Sequence, residues 1–220
     1  MQDPIPPARC RLVLIAPPME TQALGRQLAA ALDGGDVASL ILPQYDLDEA
    51  SFQRHAEHIV PLMQERGVAV MIAGDTRIAA RVKADGIHVE ESKAALAETV
   101  ARLQGQFMIG AGGAKTRDDA LELGETRPDY IFFGRIGYDN KPEPHHRNLS
   151  LGEWWAEVIA LPCLVLGGSD VASVEAVAAT GAEFVALSSA VFADGVDPRT
   201  AVAKANRILD ETAPGFEESQ

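Results

Sequence analysis

Two pairs of small residues carry the clearest chemical suggestion in this chain. In "PCLVLGGSDVASVEAVAATGAEFVALSSAVF" (Pro162–Phe192) one apolar run ends in Gly167-Gly168 and the next ends in Ser188-Ser189. Glycines let backbone N–H groups approach a ligand closely. Serine hydroxyls and amides add further donors, and a helix start beside them carries partial positive charge. Ser169-Asp170 is placed to cap such a helix. Together these features suit a phosphate group. The plainer alternative is that Gly-Gly only makes a tight strand-to-helix turn.

The elements that must position these loops follow from the pattern of apolar runs. Eight short runs read as strands: Arg11–Ala16, Val37–Leu42, Val68–Ile72, Gly86–Val89, Phe107–Gly110, Tyr130–Phe133, Cys163–Leu166 and Phe184–Leu187. Their length fits buried strands, and their lack of period-2 alternation fits a sheet covered on both faces. Helical patterns alternate with them: Glu20–Leu32, Glu49–Glu65, Thr76–Lys83, Ala94–Leu103, Arg117–Leu123, Leu151–Ile159, Val171–Ala179 and Pro198–Asp210. Strict alternation predicts a parallel sheet. Eight units predict a single (β/α)8 barrel over residues 11–211, with flexible tails at 1–10 and 212–220. A doubly wound open sheet is the alternative, disfavoured because no Gly-x-Gly-x-x-Gly follows the first strand. In a barrel, the loops after strands seven and eight commonly bind phosphate.

Composition narrows the function classes. The chain has 220 residues, is 47% hydrophobic and has a formal net charge of -13. That hydrophobic content supports one sizeable core. The acidic surface and the absence of a basic stripe exclude nucleic acid and anionic membranes as expected partners. No apolar run approaches the ~20 residues of a membrane span, and the start "MQDPIPPARC" lacks a signal-peptide pattern. A cytoplasmic location is expected. Cys10 and Cys163 are too few for a disulfide framework, and Cys163 reads as a buried thiol.

Three stretches, "ADGIHV" (Ala84–Val89), "RPDYIFFGRI" (Arg127–Ile136) and "LVLGGSDVASVEAVAATGAEFVALSSAVF" (Leu164–Phe192), give the chain a family likeness. It resembles the thiamine phosphate synthase and thiazole tautomerase family from Arg11 to Leu209. The resemblance implies a small (β/α)8 barrel. It also implies a reaction that joins a thiazole phosphate to a hydroxymethylpyrimidine diphosphate, with magnesium, and releases diphosphate. The last stretch resembles the family's thiazole-phosphate site, which carries a phosphate-binding role onto Gly167, Gly168, Ser188 and Ser189.

Elsewhere the chain departs from the family pattern. After strand two the synthases have Gln-x-Arg-x-Lys; here "ILPQY" puts Ile41, Pro43 and Tyr45 in those places. After strand three, "IAGD" puts Ala73 and Gly74 where the family has Asn and a magnesium-binding Asp. After strand four, "HVEESK" puts Lys93 where a second magnesium-binding Asp stands. A serine after strand five is replaced near Gly112. A Thr-rich diphosphate loop becomes "GYDNK", which keeps Lys141. The tautomerase branch uses a His just after "DYIFFG"; here Arg135 follows, too basic for a general base.

Leaving diphosphate needs cations and metal clamps. Losing one Arg and one Lys removes about 3–6 kcal/mol of charged hydrogen bonding, on the order of 10² to 10⁴ in rate. No cofactor is therefore expected; magnesium enters only if Asp75 or Glu91 replaces the missing aspartates. His88, Arg135 and Lys141 remain as candidate ligand contacts. His55 and His58 share a helix face and read as a solvent-facing pair. The Asn140–Asn148 loop, with His145-His146, is either a lid or a plain surface loop. One of Trp154-Trp155 packs on the barrel while the other marks a candidate homodimer contact. Tyr45 is placed to fill the space of the lost Lys.

Two function classes follow. One is a divergent barrel binding a phosphorylated thiazole- or thiamine-like ligand, catalytic or not, or a partner of another thiamine enzyme. The other is an active synthase with a rearranged site.

Overall fold

The strands close on themselves. In the computed structural model, which describes residues 8–216, eight parallel strands pair in chain order and the last pairs with the first. They are β1 (Arg11–Ile15), β2 (Ser39–Pro43), β3 (Ala69–Ala73), β4 (Gly86–Val89), β5 (Met108–Ala111), β6 (Tyr130–Phe133), β7 (Cys163–Leu166) and β8 (Phe184–Leu187). The helices are α1 (Thr21–Leu32), α2 (Glu49–Gln64), α3 (Thr76–Val82), α4 (Lys93–Leu103), α5 (Arg117–Gly124), α6 (His146–Val158), α7 (Ser173–Ala178), α8 (Ser189–Phe192) and α9 (Pro198–Thr212). The expected (β/α)8 barrel is the observed fold, with one short extra helix, α8, after β8.

Alternate residues along each strand face opposite sides, and this divides the apolar residues into two cores. Val13, Ile15, Ile41, Met71, Phe132, Leu164, Leu166 and Ala186 fill the barrel interior. Leu12, Leu14, Leu40, Leu42, Val70 and Ile72 join the larger core that includes helix residues such as Leu24, Phe52 and Ile59. Both faces are buried, which is why the strands lack a polar stripe. Gly86 leaves the volume that the Met71 side chain occupies, and Gly110 leaves the volume of the Tyr130 ring.

Carboxylates stitch the N-terminal end of the barrel. Asp85 Oδ2 accepts from Val70 N–H at 2.8 Å, Asp129 Oδ2 from Ile109 N–H at 2.6 Å and Glu183 Oε2 from Cys163 N–H at 2.8 Å. Arg11 holds Asp36 with two bonds of 2.9 and 2.7 Å. Asp85, Asp129 and Glu183 each precede a strand and satisfy a backbone amide of the neighbouring strand. Acidic residues at this end therefore serve stability, and the opposite end is left for function.

The chain near its ends is also fixed. Arg9 Nε donates to Asp210 at 2.8 Å, and Arg9 forms an isolated antiparallel bridge with Gly215. Thus residues 8–9 pair with residues 215–216 and Arg9 ties them to α9, and residues 1–7 and 217–220 of the two expected tails lie outside the described residues. Cys10 and Cys163 are both buried free thiols. Burial pushes the Cys10 thiol up to about 12, a value incompatible with a reactive thiolate.

Two helix expectations are corrected. α6 starts at His146, five residues earlier than its apolar pattern predicts. His145 is its N-cap and accepts from Arg147 N–H at 3.2 Å through Nδ1. The helix thus absorbs the end of the Asn140–Asn148 segment. His55 and His58 are not a solvent-facing pair: His55 is buried, and its Nδ1 lies 2.8 Å from Thr21 Oγ1 on α1. Trp155 packs inward and donates Nε1–H to Leu161 O at 2.7 Å, while Trp154 lies under the Arg117 guanidinium, 4.9 Å from its centroid.

Candidate functional site at the barrel mouth

Closure brings the ends of β7 and β8 side by side, so Gly167-Gly168 and Ser188-Ser189 are neighbours. Gly167 N–H donates to Ala186 O on β8 at 2.9 Å. Gly168 N–H donates to Ser173 Oγ at 2.9 Å, so the loop is fixed by the first residue of α7. Ser169 does not cap α7; Asp170 Oδ1 instead accepts from Ala172 N–H at 2.8 Å in the turn before it.

A segment from the β6–α6 connection lies directly on these two loops. Ser169 N–H donates to Lys141 O at 2.7 Å, and Asp170 N–H points to Pro142 O at 3.4 Å. A Cβ on Gly168 would run into the Pro142 carbonyl, so only glycine permits this approach. Most telling, Ser189 N–H donates to Asp139 Oδ2 at 2.6 Å. Asp139 is only 5% exposed. A buried carboxylate is costly unless its oxygens are hydrogen-bonded, and here a backbone amide of the candidate phosphate loop supplies the bond. The protein's own anion already occupies part of the place read for a ligand's anion. Neither Asp139 nor Ser173 carried a sequence signal; they are fifty and five residues from the groups they bind.

The other predicted contacts spread along the mouth. A cleft of about 1150 Å³ is bordered by Gly112, Arg135, Asp139, Lys141 and Gly167. Lys141 is exposed there. Arg135 stacks over the Tyr138 ring at 3.8 Å. A second cavity of about 320 Å³ is bordered by Pro43, Ala73, Gly74, His88 and Ile136, and Glu90 borders both. Gly168, Ser188 and Ser189 border neither of these two cavities, because the 139–142 segment covers them.

The β2–β3 side is apolar or internally paired. Ile41 is fully buried in the barrel interior. Tyr45, at φ 47, donates its hydroxyl to Ala16 O at 2.8 Å and ties the loop after β2 to the end of β1. Burial, helped by the Asp139 charge, raises its phenol to about 12, so it stays a neutral donor.

The residues present do not fit a magnesium clamp. Asp75 is the N-cap of α3 and accepts from Arg77 backbone and guanidinium N–H groups. Those bonds to Arg77 hold its carboxyl below the usual range. Lys93 pairs with Glu125 at 2.7 Å. Glu91 is exposed. Among the described residues no three His, Cys, Asp or Glu side chains converge as a metal site.

His88 is buried at the end of β4. Its Nδ1 lies 2.9 Å from the Tyr130 hydroxyl, and its Nε2 lies 3.5 Å from Glu90 Oε1. The two rings stack at 11° between planes, and Phe132 meets His88 edge-on.

Comparison with known proteins agrees with this architecture. The family model described as thiamine monophosphate synthase matches residues 12–191. The chain is 33% identical over 202 residues to the thiamine-phosphate synthase of Rhodospirillum centenum, covering 91% of this chain and 98% of that protein. It is 31% identical to the thiamine-phosphate synthase of Hyphomonas neptunium, over 94% and 97% of the two chains. In three dimensions it is similar to the thiamine phosphate pyrophosphorylase from Pyrococcus furiosus, with a TM-score of 0.77 at 19% identity, covering 94% and 98% of the two chains. A closed eight-stranded barrel, a match along most of its length and full-length relatives above 30% identity lead to one conclusion: the chain belongs to the thiamine monophosphate synthase family.

Proposed function

We propose that this barrel binds a phosphorylated thiazole- or thiamine-like ligand, and that the diphosphate and magnesium half of the synthase site is largely lost. The observation that carries this reading is the asymmetry of the mouth. At β7 and β8, the Ser189 amide donates to the buried Asp139 carboxylate, beside a Gly167-Gly168 loop whose amides are bonded to Ala186 O and Ser173 Oγ. At β2 to β4, the mouth is bordered by Pro43, Ala73 and Gly74, with Asp75 and Lys93 paired to Arg77 and Glu125, and its cavity-lining charges, Glu90 and Glu91, are negative. A site that stabilises a leaving diphosphate needs fixed positive charge there. Lys141 and Arg135 border the cleft on the far side and are suited to an anionic ligand.

A second reading is an active synthase with a rearranged site. The full-length relatives named thiamine-phosphate synthase favour it. The two readings share the β7–β8 phosphate subsite and differ in turnover. Calorimetry with thiazole phosphate, thiamine phosphate and inorganic phosphate tests the shared part. Binding by the wild type and its loss in Gly168→Asp support the subsite; equal affinities of the two proteins overturn it.

A further inference from the structure

The strap between β6 and α6 is held down by one buried charge. Residues 134–145 form neither helix nor strand. Within 137–143, Gly137, Tyr138, Asn140, Lys141, Pro142 and Glu143 are exposed, and Asp139 alone is buried. Burying a carboxylate is costly unless it is paired and well hydrogen-bonded. Among the described residues the Asp139 carboxylate accepts a single hydrogen bond, from Ser189 N–H at 2.6 Å, and joins no ion pair. An apolar side chain in that place would pin the strap without this cost.

Such an anchor is one that a ligand can replace. The amide it occupies belongs to the pair of loops read as the phosphate subsite, and a phosphate group brings three strong acceptor oxygens. Burial, and after it the Asp139 charge, raises the Tyr45 phenol, so the carboxylate acts within the mouth and not in bulk solvent. While the strap is down, Gly168, Ser188 and Ser189 border neither of the mouth cavities.

The rest of the strap is suited to coming away. Its polar ties to the loop after β7 are two backbone contacts, from Ser169 N–H to Lys141 O at 2.7 Å and from Asp170 N–H toward Pro142 O at 3.4 Å. Gly137 turns the chain at φ 78, and a Cβ there would meet nothing within 4 Å, so packing does not lock that turn. Pro142 and Pro144 stiffen the other end.

We propose that Asp139 is an internal competitor for the phosphate subsite: its carboxylate takes the place of a ligand's phosphate at the Ser189 amide and keeps the 137–142 strap closed, and a phosphate monoester enters by exchanging with Asp139 and releasing the strap. This rests on the reading that the β7–β8 loops bind phosphate, and it adds how access to them is controlled. Apparent affinity falls in proportion to the fraction of molecules whose strap is open. A strap closed in about nine-tenths of molecules weakens phosphate binding about tenfold. Neutral, unphosphorylated analogues carry no anion to exchange with Asp139 and leave the strap closed.

The test uses the full chain with a fluorophore on Asn140→Cys, an exposed strap position. Cys10 and Cys163 are buried, so the label goes to the strap alone. The probe is inorganic phosphate, titrated by calorimetry and by the label in parallel. The expected result is a saturable change in the label with the same midpoint as phosphate binding. Asp139→Ala should show the changed signal without phosphate and bind phosphate at least about tenfold tighter. Phosphate that binds without moving the label, or that binds Asp139→Ala no tighter than the parent, overturns the gate and leaves the subsite standing. No phosphate binding to either protein at millimolar concentration overturns the subsite and the gate with it. The label's response in the chain that keeps Asp139 decides between these results even where Asp139→Ala does not fold.

Discussion

Asp139 and Ser189 are fifty residues apart and joined by a 2.6 Å hydrogen bond from the Ser189 amide to the Asp139 carboxylate. The carboxylate is buried, so the amide is held in a donor geometry that already suits an anion. A ligand phosphate that takes this amide must displace Asp139 and lift the 139–142 segment off the glycine loop.

Replacing that carboxylate should therefore strengthen phosphate binding. In Asp139→Asn the side chain can still accept from Ser189, but no longer repels an incoming anion. A charged hydrogen bond exceeds a neutral one by about 1–2 kcal/mol, and that difference converts to roughly a tenfold gain. Calorimetry with thiazole phosphate checks this. A weaker affinity in Asp139→Asn means that Asp139 itself contacts ligand rather than competing with it.

Gly168→Ala tests the packing of the same segment. The added methyl meets the Pro142 carbonyl, a backbone atom that cannot rotate away. The 139–142 segment should detach, with faster amide exchange at Ser169 and Asp170, whose N–H groups Lys141 and Pro142 accept. A stability loss of about 1–3 kcal/mol is expected from overpacking. Unchanged exchange at these two amides contradicts the described contact.

Much of this arrangement was legible in the sequence, and the failures have physical causes. Apolar runs located all eight strands because burial on both faces forces continuous hydrophobicity. That Gly167-Gly168 and Ser188-Ser189 are neighbours is legible because consecutive parallel strands of a barrel end side by side. Asp139 was not, since one acidic residue in a polar loop looks solvated until the fold places it over Ser189. The start of α6 is not legible because "PHHRNLS" has no apolar period; a histidine cap and tertiary packing form that turn. The burial of His55 is not legible for a related reason: its partner Thr21 lies on another helix, and only packing of α1 on α2 buries it.

Burial lowers the His55 pKa below its ordinary value. Glu20 opposes this shift and His58 adds to it. The unfolded chain therefore binds a proton at higher pH than the folded one. Stability from this group is full above the unfolded value of about 6.5 and is lost as pH falls through and below it. Chemical denaturation between pH 8 and 5 should show less loss in His55→Gln than in the wild type. An identical slope removes His55 from the account.

Magnesium should bind weakly at the mouth. Asp75 is tied to Arg77, and Lys93 stands where a cation would be repelled. Titration with diphosphate present should show no micromolar site. A diphosphate-dependent site that disappears in Asp75→Asn would falsify this expectation and favour the rearranged-synthase reading.

The most direct measurement is turnover of the purified protein with thiazole phosphate, hydroxymethylpyrimidine diphosphate and magnesium. The account predicts thiazole phosphate binding with thiamine phosphate formation at least 10²-fold below an ordinary enzyme's ~10 s⁻¹, and recovery toward it only when Ile41→Gln, Pro43→Arg, Tyr45→Lys, Gly74→Asp and Lys93→Asp are combined. Turnover by the wild type within about tenfold of that ordinary rate contradicts the loss of the diphosphate half and establishes the chain as a working synthase.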